Sequence, residues 1–143
     1  IHFVWIGDGV LKDEIDNKIK QYKISDNIHM VGYKENSETL VAGFDAFLST
    51  SNGESFGYSA AEALRAGVPV LLSDVMGHNE LIKQNINGML FDPNEIKENI
   101  DQVFSFIDWV HSTDLSNISK DFEKRFSVDI MVKKITDNYL DIL

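Results

Sequence analysis

At 143 residues and a net charge of -10, from 13 basic and 23 acidic side chains, the chain is of one-domain size. That charge makes it a poor binder of a nucleic-acid backbone or an anionic lipid surface. Its 43% hydrophobic and 25% charged content is that of a globular protein, and no apolar run approaches the ~18 residues of a membrane helix.

The first predicted element, His2 to Ile6, is a short apolar run, read as a buried strand, that ends in the tight turn Gly7-Asp8-Gly9. These residues lack the basic flank and cleavage site of a secretory signal, and a start on Ile inside a strand pattern predicts a piece of a longer chain. Leu11, Ile15, Ile19 and Tyr22 recur at helical spacing. A strand is predicted at Ile28 to Val31, a short helix from Ser37, and a third strand at Ala46 to Ser49.

The segment STSNGESFGYSAAEALRAGVPV, residues 49–70, then combines a polar glycine-containing loop with an alanine-rich helix. A strand at Pro69 to Leu72, a helix near Asn79 to Gln84 and a strand at Met89 to Phe91 come next. Beyond Phe91 the pattern is helical. Ile96, Ile100, Val103, Phe104 and Ile107 line one face to about His111, and further helices are predicted at Leu115 to Arg125 and Val128 to Ile142.

Short strands alternating with helices predict an α/β fold, a Rossmann-like doubly wound parallel sheet with helices on both faces and a helical C-terminal tail. No repeat, low-complexity tract or linker interrupts residues 1–143, which are read as a single domain.

Ligands of open parallel sheets bind at the carboxyl ends of the strands, so the turn at Gly7 and the loop 51–57 are the candidate sites. Gly7-x-Gly9 begins like a dinucleotide fingerprint, but Lys12 stands where the third glycine belongs, which argues against nicotinamide binding. In the second loop, Gly53 and Gly57 let backbone approach a ligand, and the helix start offers the free amides of Ser55, Phe56, Gly57 and Tyr58. Such an end holds phosphate through donors and a macrodipole worth roughly 0.3–1 kcal/mol per charge.

Glu62 falls inside an apolar helix, where an unpartnered carboxylate costs on the order of 2–7 kcal/mol. It requires an internal partner or a cleft. Glu54 precedes the helix and reads either as a loop residue or as a ligand-facing acid. Gly57-Tyr58-Ser59-Ala60-Ala61 approximates a hydrolase nucleophile elbow, but about seven loop residues separate it from its strand and no acid partner is evident for His78 or His111.

Zero cysteines exclude disulfides and thiolate metal sites and fit a reducing cytoplasm, and the histidines (His2, His29, His78, His111) show no paired metal-binding spacing. No metal site and no cofactor are expected.

Together these segments resemble the C-terminal, donor-binding domain of a retaining glycosyltransferase of family 4 (group 1), with the GT-B fold. FVWIGDGVLKDEI resembles the family's strand-GDGP-helix segment, and IHMVGY its V-x-F-x-G strand. FDAFLSTSNGESFGYSAAEALRAGVPVLLSD resembles the glutamate-x7-glutamate signature, and GHNELIKQNINGMLFDP the segment that follows. Met76 stands where the family usually has the first of two glycines.

The resemblance implies that Glu54 faces the donor sugar near the bond being broken, as the catalytic position, and that Glu62 accepts hydrogen bonds from ribose hydroxyls. It implies that the amides of Ser55 to Tyr58 face the diphosphate and that Gly32 and Tyr33 lie near the nucleobase. Glu80 matches a further acidic position or caps a helix. The family's basic pair and acceptor domain would precede residue 1, so these residues alone would bind donor weakly and transfer nothing.

The implied activity is metal-independent transfer of a sugar from a nucleotide-diphosphate sugar to a sugar or lipid-linked acceptor, in polysaccharide or glycolipid biosynthesis. The absence of an Asp-x-Asp motif accords with that. The enzyme would be cytoplasmic, or peripheral to the membrane through its other domain. The alternatives are a non-catalytic nucleotide-sugar-binding module, for which the basic pair would be missing, and a nucleotide-sugar 2-epimerase, which would convert donor without acceptor.

Overall fold

A computed structural model describes residues 1–141, and of residues 96–98 the backbone alone. The chain divides into two compact units, Ile1–Ser37 and Glu38–Leu143.

In the first unit, β1 (Phe3–Ile6) and β2 (Ile28–Gly32) pair in parallel, joined by helix α1 (Lys12–Gln21). The register runs from Phe3 opposite Ile28 and slips after Trp5, so that Ile6 meets Gly32. Gly7 then donates its amide to the Gly32 carbonyl (3.0 Å), with both glycines at positive φ. α1 carries Asp13 and Glu14 in its first turn and Lys18 and Lys20 in its last, which suits the helix dipole. The exposed Lys18 ammonium, donating to Glu14 across one turn, holds that carboxyl below the usual range and its own pKa above it. The burial expected of β1 is not found. Phe3, Val4 and Trp5 are exposed, Trp5 by 50%, because within this unit the strand has a single partner and little to cover its faces.

The second unit begins with α2 (Ser37–Val41), whose first residue lies at the boundary, followed by β3 (Phe47–Ser49), α3 (Tyr58–Arg65), β4 (Val70–Ser73), α4 (Met76–Leu81) and β5 (Gly88–Phe91). Helices α5 (Ile96–Ser112), α6 (Ile118–Phe126) and α7 (Val128–Leu140) complete it. Ile142, predicted to belong to the last helix, lies outside the described residues, as does the side chain of Ile96.

The strands form one parallel sheet in the order β3-β4-β5, with Leu71 between Leu48 and Met89. Alternation along the central strand explains its helices. Val70 and Leu72 face a core built with Ala60, Ala63 and Leu64 of α3, Leu81 of α4, and Ile118 and Phe122 of α6. Leu71 faces the other way, onto Phe91 of β5 and Phe106 of α5. The class is therefore α/β with parallel strands, helices on both faces of this sheet and a helical tail.

Two helix boundaries differ from the sequence pattern, each for a local reason. α4 starts three residues earlier than predicted and ends at Leu81, because the Asn87 side chain accepts the Lys83 amide (2.8 Å) and Ile82 is extended. α6 starts at Ile118 because the Asp114 carboxylate accepts the Ser116 amide (3.0 Å) and holds a turn ahead of it. That amide also keeps the Asp114 carboxyl below its ordinary range.

Two glycines bring the loop 50–57 against α4. Gly57 caps α3 in the left-handed region (φ 89°), and a β-carbon there would lie 2.9 Å from His78 Cδ2. At Gly77 a β-carbon would lie 2.6 Å from the Phe56 nitrogen and 2.7 Å from the Glu54 carbonyl oxygen, both backbone atoms that cannot rotate away. At the other end of α3, Gly67 (φ 84°) closes a Schellman motif, with Val68 N–H bonding Ala63 (2.9 Å) and Gly67 N–H bonding Leu64 (3.0 Å).

Leu72→Ala, at a fully buried position of β4, is expected to lower stability by about 2–5 kcal/mol in urea unfolding. Gly77→Ala is expected to cost about 1–3 kcal/mol in the same measurement, through overpacking against backbone, whereas Met76→Ala at the neighbouring exposed position stays within about 0.5 kcal/mol.

Candidate functional site

The loop 50–57 leaves the carboxyl end of β3 and leads into α3. Its shape follows from hydrogen bonds within the loop and to the elements beneath it. Ser73, fully buried at the end of β4, donates its hydroxyl proton to the Ser51 carbonyl (2.6 Å). Gly77 donates its amide to the Glu54 carbonyl (3.1 Å). The Ser51 hydroxyl reaches Glu54 Oε1 at 3.3 Å, and Ser49 Oγ lies 3.2 Å from Ser51 Oγ. Since Ser51 has a single hydroxyl proton, directed at Glu54, Ser49 is the donor in that second bond.

Glu54 is half-buried and forms no ion pair with any described residue. Its carboxylate is thus held by one neutral donor, with the rest of its capacity open. Gly57 offers no capping side chain, and the amides of Ser55, Phe56, Gly57 and Tyr58 donate to no acceptor among the described residues. These are the donors expected from the sequence, and they remain unspent. Phe56 turns its ring inward, edge-on to Phe126 (centroids 5.7 Å apart), so that residue presents backbone at the loop. The Tyr58 ring, by contrast, is 77% exposed.

Glu62 is not a buried acid. Successive helical residues turn by about 100°, which places Ala60, Ala61, Ala63 and Leu64 on one side of α3, all buried. Tyr58, Ser59, Arg65 and Ala66 lie on the other, all exposed, with Glu62 among them. Its side chain is nevertheless only partly exposed, and no hydrogen bond or ion pair holds it among the described residues. The apolar look of the helix came from its alanines, which are small enough to line either face. Of the two readings left open by the sequence, an internal partner and a cleft, the first is not found among the described residues.

The remaining predicted residues are placed as follows. Gly32 ends β2 at φ 70°, bonded to the Gly7 amide, and Tyr33 follows it, largely exposed; both belong to the first unit. Glu80 is an exposed residue near the end of α4, whose N-cap is Val75, so it caps no helix start. Its carbonyl, and that of Leu81, accept hydrogen bonds from the Arg125 guanidinium. Ser59, exposed in the first turn of α3, follows an eight-residue loop rather than the sharp strand-helix turn of an elbow.

Sequence reasoning missed His78. The residue is 1% exposed, and its Nδ1 lies 2.9 Å from the Ser73 carbonyl and 3.3 Å from the Ser73 hydroxyl. A carbonyl can only accept, so Nδ1 carries the proton. A histidine in a polar GHNEL segment gave no sign that it would be enclosed. Among the described residues no helix is long and apolar enough to cross a membrane.

Comparison with known proteins bears on the family and the fold. Residues 1–114 match the family described as glycosyl transferases group 1. The chain is 25% identical over 146 residues to the UDP-Gal:alpha-D-GlcNAc-diphosphoundecaprenol alpha-1,3-galactosyltransferase of Escherichia coli, covering 99% of this chain and 37% of that enzyme. Two solved structures share the fold, at 23% and 24% identity. One is the apo lipopolysaccharide outer core galactosyltransferase WaaB (TM-score 0.88), and the other is Anabaena HepE in complex with UDP-glucose (TM-score 0.75). Each superposition covers 99% of this chain and 41% of the other. The curated relatives are longer throughout, the chain spanning 19% to 41% of their length. With four fifths of its residues inside the family match, and parallel sheets folded as in its relatives, the chain belongs to the group 1 glycosyl transferases.

Proposed function

We propose that residues 1–143 form the nucleotide-sugar-binding domain of a retaining, metal-independent glycosyltransferase. It transfers a sugar from a nucleotide-diphosphate donor to a sugar or lipid-linked acceptor during polysaccharide or glycolipid synthesis. One observation carries this reading: a glycine-capped helix start whose amides at Ser55 to Tyr58 are unspent among the described residues, flanked in sequence by two carboxylates that no described cation pairs with.

The chemistry divides accordingly. Breaking the bond between sugar and diphosphate leaves negative charge on the departing phosphate, and preorganised amides are suited to take it up without reorganising. The positive end of α3 adds to that field. Carboxylates beside such a site would repel a bare phosphate, but they accept hydrogen bonds from hydroxyls. Glu62, on the exposed side of α3, takes the ribose hydroxyls, and Glu54, in the loop, faces the donor sugar and stabilises positive charge that develops on it. Gly32 and Tyr33, at the end of β2, serve the nucleobase, where glycine lets the base lie close to backbone. A uridine donor is supported by the UDP-galactose of the E. coli relative and the UDP-glucose bound by HepE. The absence of cysteine suits work in the reducing cytoplasm.

In the full-length protein, UDP should bind measurably by calorimetry. Glu62→Gln should weaken that binding by about tenfold or more, as expected for loss of charge-assisted hydrogen bonds. Unchanged affinity would remove the ribose role. Glu54→Gln should leave UDP affinity within about twofold while lowering kcat for sugar transfer by about a hundredfold. Product analysis with UDP-glucose, UDP-galactose and UDP-N-acetylglucosamine should show UDP release that depends on acceptor. Interconversion of donors without acceptor would replace transferase by epimerase.

A further inference from the structure

We propose that Ser73 and His78 are positioning residues for the Glu54 carboxylate, acting on it through Ser51; this rests on the transferase reading of Glu54 given above. A continuous path links the buried histidine to the site. His78 Nδ1–H is shared between the Ser73 carbonyl (2.9 Å) and hydroxyl (3.3 Å). Because the Ser73 hydroxyl accepts from that proton, its own proton is free to point the other way, at the Ser51 carbonyl (2.6 Å). Ser51 in turn directs its hydroxyl at Glu54 Oε1 (3.3 Å). Each donor along the path has a single proton, and the His78 proton is directed at Ser73 alone, so the direction of the chain runs from histidine to carboxylate.

Burial makes the path stiff at one end. Ser73 and His78 are enclosed, so a broken bond there leaves a polar group without water to replace it. Glu54, at the other end, is half-exposed and forms no ion pair with any described residue. Among the described residues, the one side-chain bond that orients its carboxylate comes from Ser51, whose backbone is pinned by Ser73. The ring of His78 also fills the space where a β-carbon on Gly57 would stand, so the same residue supports the far side of the loop. Acting in this way, the pair affects the charge placed beside the donor sugar.

The test is a set of double-mutant cycles in the full-length protein, reading kcat for UDP release from the best UDP-sugar of the panel above, UDP affinity and melting temperature. Ser51→Ala, at a partly exposed site where folding is not at stake, is expected to lower kcat about fivefold or more with UDP affinity within about twofold. Ser73→Ala should do the same, as should His78→Leu. His78→Asn, which keeps a donor near the Nδ1 position, should restore most of the rate. In a Glu54→Gln background none of these changes should lower kcat further, because they act through the carboxylate that is gone. A purely structural role predicts losses of equal size in both backgrounds, and that result overturns the proposal while leaving the role of Glu54 intact. Full activity in Glu54→Gln itself overturns both. Wild-type kcat in Ser51→Ala overturns the positioning role even if the buried variants do not fold.

Discussion

The hydrogen bond from the Ser73 hydroxyl to the Ser51 carbonyl is where the core and the site become one structure. β4 is buried along its whole length, and Ser73 is its last residue. A hydroxyl there must find an acceptor, and the acceptor it finds is the backbone of the loop that follows the neighbouring strand. Hydrophobic burial of Val70, Leu71 and Leu72 therefore fixes the height of Ser51 above the sheet. From Ser51 the loop must still reach the start of α3, and its course is set by the contact with Gly77. The same packing that stabilises the sheet thus decides where the free amides sit.

An acidic chain has a particular difficulty in holding an anion, and the diphosphate binding proposed above would answer it with backbone amides. With a net charge of -10, long-range attraction for a diphosphate is absent. What replaces it is short-range and directional: amides at a helix start whose capping residue has no side chain to occupy them. A serine or aspartate at position 57 would be the usual cap and would consume one of those donors. It would also place a β-carbon against His78 in a left-handed conformation that costs such residues roughly 1–2 kcal/mol. Glycine is thus required twice, by the packing beneath the loop and by the donors above it.

Much of the fold was legible because its signals are local. Strand alternation, the glycine before YSAAEALR and the helical face from Ile100 to Ile107 each report on a few neighbouring residues. What escaped depends on tertiary contact. The exposure of Trp5 turns on how many strands β1 has beside it, which four residues of sequence do not encode. The end of α4 turns on Asn87, a residue beyond the helix that competes for the Lys83 amide. Glu62 was misread as buried since alanine carries no information about which side of a helix is wet. Of the site, the sequence pointed to Glu54 and the amides through glycine and helix-start chemistry. It was silent on Ser73 and His78, which are small or polar residues made important only by enclosure.

The place of Met76 shows how such enclosure constrains sequence. In the resembling family two glycines occupy this turn, yet here the first is a methionine. Its side chain is 78% exposed, so a β-carbon at that position extends into solvent and meets nothing. The next residue has no such latitude, with three backbone atoms of residues 54–56 within 2.7 Å of where a β-carbon would stand. The two positions therefore do different work: one admits a side chain, the other sets the distance between α4 and the loop. Arg125, bonding the carbonyls of Glu80 and Leu81 from α6, holds α4 from its opposite end. With α4 gripped at its far end by a guanidinium and pressed against the loop at its start by a glycine, the loop has a rigid wall to rest on. A single glycine suffices for that, and Gly77 is the one that the geometry requires.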